Sequence, residues 1–453
     1  MNPQVEAALI AGIATLIGVG GTVIVALRGY RATKEATADT IEAQREQLDK
    51  TLAEQQVRIL NERFATAAEK LGMDKSATVR LAGVYAMAGL ADDWEDNRQT
   101  CIDVLCGYLR IPYPPDSGDG ERHLEFLADR EVRHTVVRVI TAHLREEANV
   151  SWCDANLDFT GVVFDGGDFQ KARFRQGTIT FRNTQFSGGR VDFGGAQFSG
   201  GRVSFKSAQF SGGEVDFGGT KFSSGLASFD SAQFSGGKID FGRARFSGGE
   251  VDFGGAEFSG GDVYFGGAEF SGSTVRFNAH FSSSLVNFWR TEFSGGTVNF
   301  ALAAFSGGMV RFESAQFCGE VRFGGARFSG SMVEFGDAEF SGEVSFGGAR
   351  FSGGTVSFDG ARFSGGTADF RRVEFSGGRV SFWAARFSGG RVSFESAQFS
   401  GSEVGFGSAR FTGGVVDFAH VSEWHRRPEF DWVVGGIPPA GVILPEESTR
   451  STP

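Results

Sequence analysis

Six histidines and four cysteines are the side chains of this chain best suited to hold a metal or attack a substrate, and neither set is spaced to do so. His123, His134, His143, His280, His420 and His425 never fall into a zinc-ligand spacing such as HExxH. His134 and His143 can share one helix, where a surface or core role is the simpler reading. The cysteines form no CxxC: Cys101 and Cys106 sit on one expected helix and Cys318 stands where neighbouring repeats have serine. Plain buried or surface thiols in a reducing compartment account for them. The many Gly-Gly pairs would suggest phosphate loops, but they precede strand-like segments and lack a P-loop lysine and a following helix. Recurrent carboxylates such as Asp252 and Glu257 return with the period of the sequence, as a solvated face does, rather than as an acid/base pair. No catalytic, cofactor-binding or metal-ligating residue is therefore assigned, and no cofactor is expected.

What positions these side chains is a lattice of phenylalanine. From Phe181 to Phe418 it recurs at alternating steps of five and seven and takes up 41 of the 48 phenylalanines, so the period dictates the architecture. Each lattice Phe has Ala, Val, Ile or Thr two residues before it, as in Ala196-x-Phe198, Val203-x-Phe205 and Ala208-x-Phe210. Spacing by two places both side chains on one face of an extended segment and points the polar residue between them outward. Connectors of two residues (often Gly-Gly) alternate with connectors of four (Ser-Gly-Gly-x). Irregularities such as Phe277-Asn278-Ala279 shorten a connector and spare the pair. The connectors therefore read as corners where glycine supplies positive φ, and the Phe columns as core rather than as a ligand-binding stripe.

The segment Ala155-Asn156-Leu157-Asp158-Phe159, continued through Phe164, Phe169 and Phe174 at steps of five, resembles successive pentapeptide repeats. The resemblance implies a right-handed quadrilateral β-helix, with Phe as the central inward residue and Ala or Val as its small partner. Because every second connector carries two extra residues, two 12-residue units should close one coil of about 24 residues. Some ten coils at a strand spacing of about 4.8 Å give a rod of roughly 50 Å.

Ahead of the lattice, residues Ala7 to Leu27 carry no charge, and as a helix this stretch of 21 residues would reach about 31 Å, enough to cross a bilayer core. Glu6 precedes it and Arg28, Arg31 and Lys34 follow, and no Ala-x-Ala site ends it, which argues against a cleaved signal peptide. The positive-inside bias places the N-terminus outside and the bulk of the chain in the cytoplasm. Small residues such as Ala8, Gly12, Ala14, Gly18 and Thr22 could pack two such helices. Residues 32–71 lack Gly and Pro and read as one long helix, whose Ile41, Leu48, Leu52 and Ile59 form a narrow seam. That seam could hold a second copy as a short coiled coil or pack on its own chain. Ser76 is expected as the N-cap of a helix carrying Val79, Arg80, Leu81, Val84, Met87 and Leu90. A second helix carries Cys101, Ile102, Leu105 and Leu109; a third starts near Glu131, after an exposed loop at Pro112–Gly120. Its Val132-Arg133 repeats Val79-Arg80, a pattern that resembles HEAT-type helical hairpins. The stretch from Asn61 to Arg110 resembles the helical front part of membrane-anchored bacterial pentapeptide-repeat proteins.

The expected organisation is mainly β: a transmembrane helix (1–30), a long helix or coiled-coil stalk (31–72), an α-helical segment (73–148), a pentapeptide-repeat β-helix (151–420) and a C-terminal cap and tail (421–453). Trp424, Phe430 and Trp432 are the rings expected to cover the last coil.

Three functions follow from this organisation. The leading one is a single-pass, membrane-tethered, non-enzymatic scaffold that presents a rigid rod to a protein partner. Its partners would be the bilayer through the N-terminal helix, an unknown protein, and a second copy through the stalk. The alternative, implied by the family resemblance, is mimicry of duplex DNA to bind a type II topoisomerase. A mimic needs a stripe of one sign. The chain as a whole is at −11, yet the lattice holds 23 acids against 21 bases, with only the patch from Glu214 to Glu269 distinctly acidic. Nucleic acid is not expected as a partner. The third reading, an enzyme or small-molecule binder, requires a convergent polar pocket. Interruptions of the repeat at His280 to Arg290 (with Trp289), at Leu302 and at Trp383 are where a binding site is first expected.

Overall fold

The computed structural model describes residues 3–112, 116–223, 225–431 and 438–445; within 3–38, side chains are described only at 6–12, 21, 28, 29, 31, 34 and 37. The chain divides into two units, Met1–Thr66 and Ala67–Pro453.

The first unit is helical. A single helix, α1, runs Pro3–Lys70 without a break at residue 30, and its 68 residues continue one turn beyond that unit. Among the described residues no helix is long and apolar enough to cross a membrane. Most side chains of the uncharged run Ala7–Leu27 lie outside the described residues, so the expected span does too. Ile41, Leu48, Leu52 and Ile59 are all exposed.

The second unit begins with three helices, α2 (Ala77–Asp93), α3 (Arg98–Arg110) and α4 (Gly120–Leu144). Their core is Val84, Met87, Leu90, Ile102, Leu105, Val136 and Ile140, at the helical spacing read from the sequence. Ser76 takes the N-cap position with extended backbone but makes no side-chain cap bond. Helix α4 starts eleven residues before the expected Glu131, because Leu124 and Leu127 are exposed and give that turn no buried stripe. Helix-favouring Glu121, Arg122, Glu125 and Ala128 extend the helix there without one.

The repeated Val79-Arg80 and Val132-Arg133 pairs tie the helices to one another and to the β region. Both arginines are buried, each 5 % exposed. Arg80 pairs with Asp129 (2.5 Å) and donates to the Tyr108 hydroxyl (2.8 Å). Arg133 donates to the carbonyls of Leu109 (2.8 Å), Ile111 (3.0 Å) and Val163 (3.2 Å). It thus satisfies carbonyls that the end of α3 leaves open and joins them to the first coil of the β region. Arg110 with Asp158, Arg130 with Asp165 and Arg145 with Asp168 add bonds between the helices and that coil. The helical segment is therefore an N-terminal cap that covers the end of the solenoid.

The solenoid has about 12 turns, more than the ten expected. Every strand pair is parallel, and Gln209 lies beside Gln233, a coil of 24 residues. Shortened connectors give a shift of 23, as at Phe258 and Phe281, and the first coil, with one enlarged corner instead of two, shifts by 22 from Leu157 to Ile179. One side of the coil forms a 13-stranded sheet (side one) and another an 11-stranded sheet (side four). Sides two and three merge into an 18-stranded sheet where eight-residue strands such as Gln233–Asp240 run round the corner between them.

Each side contributes one column of phenylalanine. Within a column, rings stack nearly parallel: Phe205 and Phe229 are 4.8 Å apart at 2°. Columns one and three meet edge to face across the axis, with Phe205 and Phe217 at 5.5 Å and 88°. These are the favoured geometries of a ring quadrupole, and each adds to the transfer free energy of burying the ring. Where threonine replaces the small inward residue, its hydroxyl donates to the Phe carbonyl of the preceding coil, as Thr220 does to Phe193 (2.9 Å) and Thr291 to Phe265 (2.8 Å). At the far end Phe430 is buried and stacks on Phe406, and Trp424 continues the second column against Phe399. Trp432 lies outside the described residues.

Candidate interaction faces

The residue inside each Ala/Val-x-Phe pair points outward, and parallel register turns these residues into columns along the rod. On side three, Asp192, Asp216 and Asp240 form one such column. Arg190, Glu214 and Lys238 form the column beside it. Arg190 reaches Asp216 (2.6 Å), Asp192 (3.1 Å) and Glu214 (3.3 Å), and Lys238 reaches Glu214 (3.2 Å) and Asp240 (3.4 Å). The hydrogen bond to Glu214, against slight desolvation and helped by Asp240, holds the Lys238 ammonium above its ordinary pKa. Such exposed pairs contribute little stability each, but together they fix the long side chains of this face.

The acidic patch from Glu214 to Glu269 does not form a stripe. Glu214, Asp216, Asp240 and Asp262 lie on side three, Glu250 and Asp252 on side one, Glu257 on side two and Glu269 on side four. Several of these carboxylates build corners: Asp216 and Asp240 each accept from the backbone N–H two residues on at 2.7 Å and Asp252 at 2.8 Å, as Asp192 does one coil earlier at 2.7 Å. That is the local bond by which aspartate stabilises a turn. The aspartate column of side three is itself paired with Arg190 and Lys238, so this face presents mixed signs rather than a phosphate-like row.

The residues weighed for chemistry are dispersed. His143 stacks on buried Trp152 (3.9 Å), and both bond Asp92. His134 bonds Asp165 (2.9 Å) beside Arg130, and His123 bonds Asp116 (2.5 Å). His280 is outward on side two, and His425 pairs with Glu423 at the C-terminal end. Among the described residues no group of three or more His, Cys, Asp or Glu could hold a metal ion. Cys101, Cys106 and Cys153 are buried and Cys318 is exposed; all four are free. Burial pushes the Cys106 thiol up to about 12, where it is protonated and inert.

Sequence reasoning missed an open cleft of 430 Å³ where α4 meets side three, lined by Arg130, His134, Arg138, Asp168, Arg190 and Asp192. Its charges are engaged within the chain: Arg130 and His134 on Asp165, Arg138 on Glu131, and Arg190 on Asp192. The signal existed only as isolated arginines on an amphipathic helix, with nothing to say which coil they would meet.

The interruptions of the repeat are exposed, as their outward positions require: Trp289 is 44 %, Trp383 57 % and Leu302 72 % exposed. Leu302 also holds a left-handed backbone (φ 63°) at the second corner position, where most coils have glycine, serine or a polar residue. This leucine is exposed in a conformation costing roughly 1–2 kcal/mol, with its Cδ2 against the Gly325 corner of the next coil, and such local rule-breaking is where a binding role is sought.

A model of the family described as pentapeptide repeats (9 copies) matches residues 159–209 and 335–386. No curated protein and no solved structure matches the chain. With four inward columns, parallel coils of 24 residues and that match in two stretches of the lattice, the β region is a solenoid that carries pentapeptide repeats.

Proposed function

We propose that this protein is a membrane-tethered, non-enzymatic scaffold whose rod presents fixed outward columns to a protein partner in the cytoplasm. The observation that carries the reading is the division of labour within each repeat. Phenylalanine and its small partner are consumed by the core, while the outward columns and corners vary from coil to coil and are ordered by cross-coil bonds. A surface that is rigid before binding loses little conformational entropy on docking. The tether rests on the uncharged run Ala7–Leu27 and the bases that follow it. The exposed seam Ile41, Leu48, Leu52 and Ile59 is suited to a second copy of α1.

Affinity isolation of the full chain from native membranes, with partners identified by mass spectrometry, tests the reading. The proposal expects a protein partner that is lost when Trp289, Leu302 and Trp383 are replaced by serine. Consistent recovery of a type II topoisomerase by both chains would support the DNA-mimic alternative instead.

A further inference from the structure

Side four leaves the charges of its later coils unused, whereas its earlier ones pair, as Arg245 does with Glu269 (3.2 Å). Its last six outward residues, in register from coil to coil, are Glu292, Gln316, Glu339, Arg362, Arg386 and Arg410. None of their side chains makes a hydrogen bond or ion pair with the described residues, even though Glu339 and Arg362 are direct neighbours. The column therefore runs from three acceptors to three cations over about 24 Å at a coil spacing of ~4.8 Å.

This order is complementary to itself when reversed. We infer that side four is an antiparallel docking surface for a second copy of this chain, with the two-fold axis crossing between Glu339 and Arg362. Glu339 of each copy then meets Arg362 of the other, Gln316 meets Arg386, and Glu292 meets Arg410, each contact made twice. Guanidinium donors on carboxylate and amide oxygens are the pairing for which arginine is best shaped. The register is also guarded: a slip of one coil brings Glu339 onto Glu339 or Arg362 onto Arg362, and a parallel arrangement sets every residue against its like. Like-charge contacts of this kind reject wrong registers more than right ones add affinity.

The corner leading into this side carries the two exposed tryptophans, Trp289 beside Glu292 and Trp383 beside Arg386. The two-fold keeps that corner on the same edge in both copies. It sets Trp383 level with the second copy's Glu313 and Trp289 level with its Gly407, against which that copy's own Trp383 ring lies, so the rings of the two copies adjoin at this corner. Tryptophan at the rim of a charged strip supplies apolar area that the charges lack. A strip this narrow gives an exchangeable dimer, not an obligate one. The inference stands whether or not the N-terminal helix enters a bilayer.

The test uses the full chain in detergent, its mass followed by light scattering up to about 100 μM, where a small interface should be populated. Three samples are compared: the wild type, an acidic variant (Arg362→Glu, Arg386→Glu, Arg410→Glu) and a basic variant (Glu292→Arg, Glu339→Arg). All five replaced side chains are exposed or half-exposed, and circular dichroism confirms that the β spectrum is kept. The wild type should gain mass with concentration by a factor of two, each variant should lose that step, and an equal mixture of the two variants should regain it. Association through α1 would multiply every sample equally and leave the comparison intact. Equal masses for wild type, variants and mixture would overturn the inference. Loss of binding to a phosphate-bearing resin by the acidic variant, with no change in mass, would overturn it too and assign the arginines to an anion.

Discussion

A phenylalanine inside this rod touches its own column above and below and a second column across the axis, so its contribution is set by neighbours a full coil away. Phe241 is fully buried, stacked on Phe217 and Phe265. Replacing it with alanine should cost about 3–5 kcal/mol, the transfer and cavity terms together, whereas Trp383→Ala should shift stability by roughly 0.5 kcal/mol or less. Denaturant unfolding of both variants checks this; equal effects would mean that the outward ring is packed. Arg133 is the corresponding residue of the cap. Arg133→Met leaves buried carbonyls without donors and should lower stability by about 2–4 kcal/mol, read by thermal unfolding. A change near zero would show the three carbonyls to be satisfied without it. Thiol reactivity separates the cysteines in the same way. Alkylation of the native chain should label Cys318 and spare Cys101, Cys106 and Cys153, which are buried. Rapid labelling of any of those three, read by peptide mass, would contradict the burial described here.

At the scale of the coil, glycines that look alike in the repeat differ in what they do. Gly219 and Gly225 both hold positive φ, at 65° and 81°. A methyl on Gly219 would meet nothing within 4 Å, while one on Gly225 would collide with the Gly201 carbonyl of the coil below. Gly219→Ala should therefore cost only the left-handed conformation, roughly 1–2 kcal/mol, and Gly225→Ala distinctly more because backbone must move. Equal melting temperatures for the two variants would refute the close coil-to-coil approach at the longer corners. This contrast also marks what was legible in the sequence. The Ala/Val-x-Phe pair identified the inward residues and the two connector lengths identified the corners, because both depend on local spacing. The 24-residue coil followed from the family resemblance, and the parallel register displays it directly. The buried arginines could not be read in advance, since Val79-Arg80 and Val132-Arg133 look like exposed turns of amphipathic helices. Their partners at Asp129, Leu109 and Val163 are distant in sequence. The start of α4 was missed because propensity rather than an apolar stripe carries its first turns. Side four's charge order was present as letters, but only coil register shows that Glu292 and Arg410 share one column.

For the whole molecule, the rod is a core whose inner surface is spent on stability and whose outer surface carries the residues that vary from coil to coil. Its N-terminal end is closed by α2–α4, and its far end receives Phe430 and Trp424. Closed ends keep a parallel solenoid from adding further chains edge to edge. The proposed scaffold at a membrane depends on the uncharged run Ala7–Leu27 acting as a tether. Fractionation with alkaline extraction, applied to the full chain and to a chain lacking residues 1–30, tests it most directly. The account predicts that the full chain stays with the membranes and that the shortened one is recovered soluble with a β-rich spectrum. Recovery of the shortened chain only from membranes, or of the full chain in the soluble fraction, would contradict it.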